Sequence, residues 1–141
     1  MKRELITGGI LADEPFWDGL EKRELRICCC SNCKKWIWPA HFRCADCGSY
    51  EMGWPLVEPR GTVYAWTRSH IVSERIMERA QDSPYVVINC ELPHAGNARV
   101  MGILEGSEEG LHVDAPVIGK FQPASAKTSG YATIRWVLDH S

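Results

Sequence analysis

The 141-residue sequence contains no run approaching the roughly 18 consecutive apolar residues that a membrane-spanning helix needs. The stretch Met1 to Gly9 lacks the apolar core of a signal peptide, so a cytoplasmic protein without membrane contact is expected. Strong charge of either sign is also missing. A formal charge of −2 and a pI near 6.2 give no global field for a phosphate backbone, which weighs against a dedicated nucleic-acid binder. There are no internal repeats or low-complexity tracts, and no motif links His70, His94 and His112 to a carboxylate or nucleophile. A stand-alone catalytic constellation is therefore not legible. Length excludes a large multidomain enzyme, while 45% apolar and 24% charged residues are ordinary for a chain that folds.

Cysteine is abundant by contrast. Six of the seven, Cys28, Cys29, Cys30, Cys33, Cys44 and Cys47, crowd into twenty residues, and Cys90 stands alone. In a reducing compartment such clustering points to metal ligands more than to disulfides. Cys30-Ser31-Asn32-Cys33 and Cys44-Ala45-Asp46-Cys47 form two C-x-x-C knuckles ten residues apart. Two thiolates on one tight turn can reach a single ion, and Gly48 supplies the permissive backbone such a turn needs after its second cysteine. Lys34 stands at the equivalent place of the first knuckle. Four thiolates around one ion suit Zn2+, one per chain, with a rubredoxin-type iron as the alternative. A closed site of this kind has no open coordination position, which makes it structural. Cys28 or Cys29 could replace Cys30 in principle, but the spacing selects Cys30 and leaves Cys28, Cys29 and Cys90 as small apolar fillers.

Three zones follow: a helical arm over 1–25, a four-cysteine ribbon over 26–54, and a β domain over 55–141. Residues 11 to 25 read as a helix, with Asp13 as N-cap, Pro15 in the first turn, and Phe16, Trp17, Leu20 and Leu25 near helical spacing. A helix this short must dock its apolar stripe on its own domain or on another chain, and Phe16, Trp17 and Leu20 are the candidate partner-binding residues. From Gly61 the texture becomes β. Gly61 to Val72 alternates, placing Tyr64, Trp66, Arg68 and His70 on one face. Tyr85 to Leu92, Arg99 to Glu105, Pro116 to Phe121 and Tyr131 to Leu138 complete about five strands, suiting a small partly open Greek-key barrel. Gly102 is expected at a bulge or close approach. Between Ser73 and Pro84 a brief helical pattern, with Ile76 and Met77 interrupting charges, reads as a helical turn or a loop beside a binding surface.

The order "FWDGLEKRELRI", two knuckles, "WPLVEPRGTVYAWT", "PYVVINCEL" and "VMGILEG" resembles a family of bacterial and archaeal proteins, domain of unknown function thirty-five. These join a rubredoxin-like zinc ribbon to an OB-fold. The resemblance covers roughly residues 14 to 121 and rests on Phe16-Trp17, the four knuckle cysteines, Gly61-Thr62-Val63 and Pro84-Tyr85. Trp36 and Trp38 in the ribbon loop, and the end after Phe121, depart from it.

The resemblance implies a mainly β fold: an N-terminal helix, a zinc ribbon and a five-stranded OB-fold barrel. It also implies a non-catalytic subunit in a heteromeric complex with a thiolase-like enzyme acting on acyl-CoA thioesters, by thiolysis or by retro-aldol or Claisen cleavage. A coenzyme A thioester shared with that partner would need an aromatic face and cations. Lys34, Lys35, Trp36, Trp38 and Arg43 in the ribbon and Arg68 on a strand offer them, core or partner packing being the tryptophans' competing role. The alternative function is single-strand nucleic-acid binding, with bases stacked on Tyr64 and Trp66.

Overall fold

The computed structural model describes residues 2–4, 11–74 and 80–141. Among these residues the one α-helix, α1 (Glu14–Glu21), follows Asp13 as N-cap and carries Pro15 in its first turn. The helix stops well short of Leu25. Arg23 adopts a left-handed φ of 60°, the Glu24 amide donates to the Gly19 carbonyl at 2.8 Å, and the Arg23 amide donates to Leu20 at 3.1 Å. That is a Schellman turn with arginine where glycine is usual, so its composition does not announce the stop. Gly19 is needed for the same return: a β-carbon there would sit 2.9 Å from the Glu24 carbonyl oxygen.

The chain then runs through β1 (Leu25–Arg26) and β2 (Cys29–Cys30) into the ribbon, and comes back through β3 (Met52–Gly53) and β4 (Leu56–Val57). The outgoing and returning strands pair antiparallel, Leu25 with Val57 and Cys29 with Gly53, so the chain enters and leaves the ribbon side by side.

The remaining strands are β5 (Arg60–Ser69), β6 (Tyr85–Leu92), β7 (Ala98–Ile103), β8 (Pro116–Gln122) and β9 (Thr133–Leu138), in sheet order β7-β6-β5-β8-β9. The neighbours pair antiparallel, and a parallel bridge between Leu104 and Trp136 brings the two ends of the sheet together. This is the five-stranded, partly closed barrel expected of the sequence. Val86, Ile88, Cys90 and Leu92 alternate inward along β6. They meet Val63, Val100, Val117 and the fully buried Trp136, whose indole N–H donates to the Val100 carbonyl at 3.2 Å. Gly102 is a close-approach point, since a β-carbon on it would lie 2.6 Å from the Ile134 carbonyl oxygen.

Two strand expectations change. β5 ends at Ser69, and Ile71 beyond it is 88% exposed. A bulge between Val63 and Ala65 shifts the register at Tyr64. Trp66 pairs with the buried Ile88 and packs on the core, whereas Tyr64 lies beneath the guanidinium of Arg99, 3.5 Å from its ring centre. Tyr64 and Trp66 therefore do not share a face, because one extra residue reverses every side chain after it. Ile76 and Met77 of the expected helical turn lie outside the described residues.

Candidate metal centre and aromatic groove

The two knuckles are near copies of one another. In the first, the Lys34 amide donates to Cys30 at 2.9 Å and the Cys30 amide to Lys35 at 2.8 Å. In the second, Gly48 donates to Cys44 at 2.9 Å and Cys44 to Ser49 at 2.8 Å. Both turns need a left-handed residue, Gly48 at φ 78° and Lys34 at φ 65°. Glycine takes that conformation freely, while lysine accepts about 1 kcal/mol of strain for it.

These turns bring the sulfurs of Cys30, Cys33, Cys44 and Cys47 within 4.8 Å of one another. Across the knuckles, Cys30 and Cys47 are 3.6 Å apart, as are Cys33 and Cys44. A tetrahedron with metal–sulfur bonds of about 2.3 Å has edges of about 3.8 Å, so the four thiols fit one tetrahedral ion. All four positions are then filled by protein, and the site can staple the ribbon but cannot bind a substrate. Cys28 and Cys29 stay out of the tetrad: Cys28 is buried with Ala12 and Ala40, and the Cys29 thiol donates to the Lys34 carbonyl at 3.4 Å.

The tetrad divides its protons unevenly. Hydrogen bonds from the Asn32 side chain and the Ser49 amide, with help from neighbouring thiols, pull Cys47 down to about 6. Cys33 goes the other way, to about 12, the Lys35 amide being outweighed by desolvation and the thiols of Cys44, Cys47 and Cys30. Metal binding would displace the remaining protons. Asn32, whose amide reaches the Cys47 sulfur at 3.4 Å, and Asp46, which joins Lys35 of the other knuckle at 2.8 Å, had no role in the sequence reading. Their only sequence signal was a place between paired cysteines.

Beside the tetrad, Lys35, Trp36, Trp38 and Arg43 line one groove of about 420 Å³ together with His41 and Phe42. Lys34 is not among its walls, and Arg68 belongs to β5, where it pairs with Glu108 and stacks 5.5 Å from the Trp66 ring centre. Four of the six candidate CoA residues are thus brought together and two are not. The tryptophans are also structural. Trp36 lies against Gly96 in the turn after β6, and Trp38 contacts Phe16 with ring centres 4.7 Å apart. Phe16 and Leu20 are 4% and 2% exposed, so α1 spends their apolar surface on the chain's own core. Trp17 remains half-buried, edge-on to Tyr131.

Fold and site together define a small protein with a four-cysteine ribbon, able to hold a metal ion, joined to a five-stranded barrel. No protein-family model and no curated protein matches the sequence. Solved structures do match the fold. A chain of the structure described as "Ltp2-ChsH2(DUF35) aldolase" is similar over 96% of this chain and 98% of its own, with TM-score 0.77 at 22% identity. A protein of unknown function from the DUF35 family of Sulfolobus solfataricus is similar over 91% of this chain and 85% of its own, with TM-score 0.56 at 17% identity. The structural neighbours are thus DUF35 proteins, the family that the sequence resembles.

Proposed function

We propose that this chain is a zinc-stapled, non-catalytic subunit of a heteromeric complex in which a thiolase-like partner acts on an acyl-CoA thioester in the cytosol. The similarity along nearly the whole of both chains to a component of an aldolase complex that includes a DUF35 protein carries this reading. Three features support it. The four-cysteine group suits a closed structural zinc. The description of the similar structure joins a DUF35 component to an aldolase, which supports retro-aldol cleavage as the partner's reaction, with thiolysis of the thioester as the other reaction the reading allows. The groove of Lys35, Trp36, Trp38 and Arg43 offers an aromatic wall and two cations to the nucleotide end of coenzyme A. The chain's contribution is to hold the partner in its active form and to dock that end of the thioester. Here 1–25 is the arm, 26–54 the ribbon and 55–141 the barrel.

Co-expression with a thiolase-like protein encoded beside it tests the proposal. The expected result is a stable heteromer with thioester-cleaving activity that neither chain shows alone. A chain that stays monomeric with every such partner, yet binds single-stranded oligonucleotide with a steep salt dependence, would overturn it.

A further inference from the structure

The barrel closes through the parallel bridge from Leu104 to Trp136, and two clefts lie along the seam between β7 and β9. The first, of about 130 Å³, has Phe16 and Leu20 of α1 in its lining, with Trp17, Met101 and Ile103 as further apolar walls. The second, of about 270 Å³, is more polar and is lined by Tyr85, Asp82 and Glu108. The clefts share Ile103 and Arg135 as walls, so Arg135 stands where the apolar space gives way to the polar one.

The charges around Arg135 are otherwise matched. Lys120, its cross-strand neighbour, is held by Glu105 at 3.0 Å, and Gln122 donates to the same carboxylate at 3.3 Å. Glu108 is taken by Arg68, and Asp82 by Lys127 at 3.5 Å. Arg135, half-buried, makes no ion pair among the described residues. A guanidinium with its fork of donors beside a largely apolar cleft is suited to a planar carboxylate.

The geometry points to a second ligand site at this seam, for a small monocarboxylic acid whose apolar body fills the first cleft while its carboxylate meets Arg135. An apolar cavity of roughly 150 Å³ accepts a benzene ring, so the first cleft suits a body of about six carbons. Arg135 supplies the one unpaired positive charge among the described lining residues, which matches a single negative charge better than a dianion such as a phosphate monoester. The site involves none of the ribbon residues assigned to the thioester, and it stands or falls separately from the complex proposed above.

Benzoate is the probe, titrated into the metal-loaded full chain and followed by the amide signal of Gly102 and the indole signal of Trp17. Saturable shifts at both are expected, with at least tenfold weaker binding of benzyl alcohol, which keeps the ring and lacks the charge. Arg135→Gln should lose affinity by a similar factor and Arg135→Lys should regain part of it. Absence of saturable shifts in the wild-type chain at tens of millimolar benzoate would overturn the site. So would equal affinity for benzyl alcohol, a readout that needs no variant to fold.

Discussion

The ring of Trp36, carried by the ribbon, lies so close over Gly96 of the barrel that a β-carbon on Gly96 would fall 2.8 Å from the ring. Gly96 also holds a φ of 62°, at the end of the 3-10 turn Pro93–Ala95. This contact joins the four-cysteine part of the chain to the β part. It needs the only residue that has neither a side chain nor a penalty for that backbone.

Gly96→Ala should therefore destabilise twice, through left-handed backbone and through displacement of Trp36. The backbone part is about 1–2 kcal/mol, which lowers Tm by several degrees in a domain of this size. Thermal unfolding with Trp fluorescence checks it, and an unchanged Tm would mean that the ribbon does not rest on this turn.

Metal content should be about one zinc per chain, lost with Cys44→Ser. Cys44 is 1% exposed, so its loss opens the tetrad from inside. Elemental analysis and circular dichroism should show the metal and the ribbon's order disappearing together, because ribbon folding and metal binding are one equilibrium. Full metal retention in the variant would refute the ligand assignment.

Alkaline pH should destabilise the fold through Cys90. Burial, with Glu91 adding repulsion, pushes its thiol up to about 12. An unfolded cysteine ionises near 8.5. Below that pH both states keep the proton and nothing is lost. Between about 9 and 12 the unfolded chain releases a proton that the folded chain retains, so stability falls with rising pH, by up to about 1.4 kcal/mol per unit. Thermal melts from pH 8 to 11 should show a steeper decline for the wild type than for Cys90→Ala, whatever the difference between them at pH 8.

Arg3→Ala should free the first residues from α1. The Arg3 guanidinium reaches Glu14 at 2.8 Å and Asp18 at 2.7 Å, and lies over the Tyr131 ring, whose hydroxyl donates to the Glu4 carbonyl at 2.8 Å. The carboxylates are about half exposed, so the loss in global stability is on the order of 1 kcal/mol or less. Amide exchange at Glu4, which donates to Ser129 at 3.0 Å, should accelerate well beyond that. Unchanged protection there would show that the arginine does not anchor the segment.

The grouping of the four cysteines was legible because C-x-x-C spacing is a local property: four residues on one turn either can or cannot aim two sulfurs at a point. The strands of the barrel were legible for a related reason, since burial of one face imposes a period of two on β6 and β9. What escaped were features whose cause lies elsewhere in the chain. The helix ends at Glu21 because Gly19 lets the following residues fold back over it, and the bulge at Tyr64 moves that aromatic away from Trp66 without any glycine or proline to mark it.

Residue spacing and composition were thus enough for the grouping of the four knuckle cysteines and for the ribbon between a helix and a barrel. How far each tryptophan is buried, where α1 spends Phe16 and Leu20, and which cations meet in one groove were decided by packing. Metal ligation depends on neighbours a few residues apart. Burial depends on partners brought in from distant strands, as Trp36 is brought to Gly96 and Arg135 to Ile103.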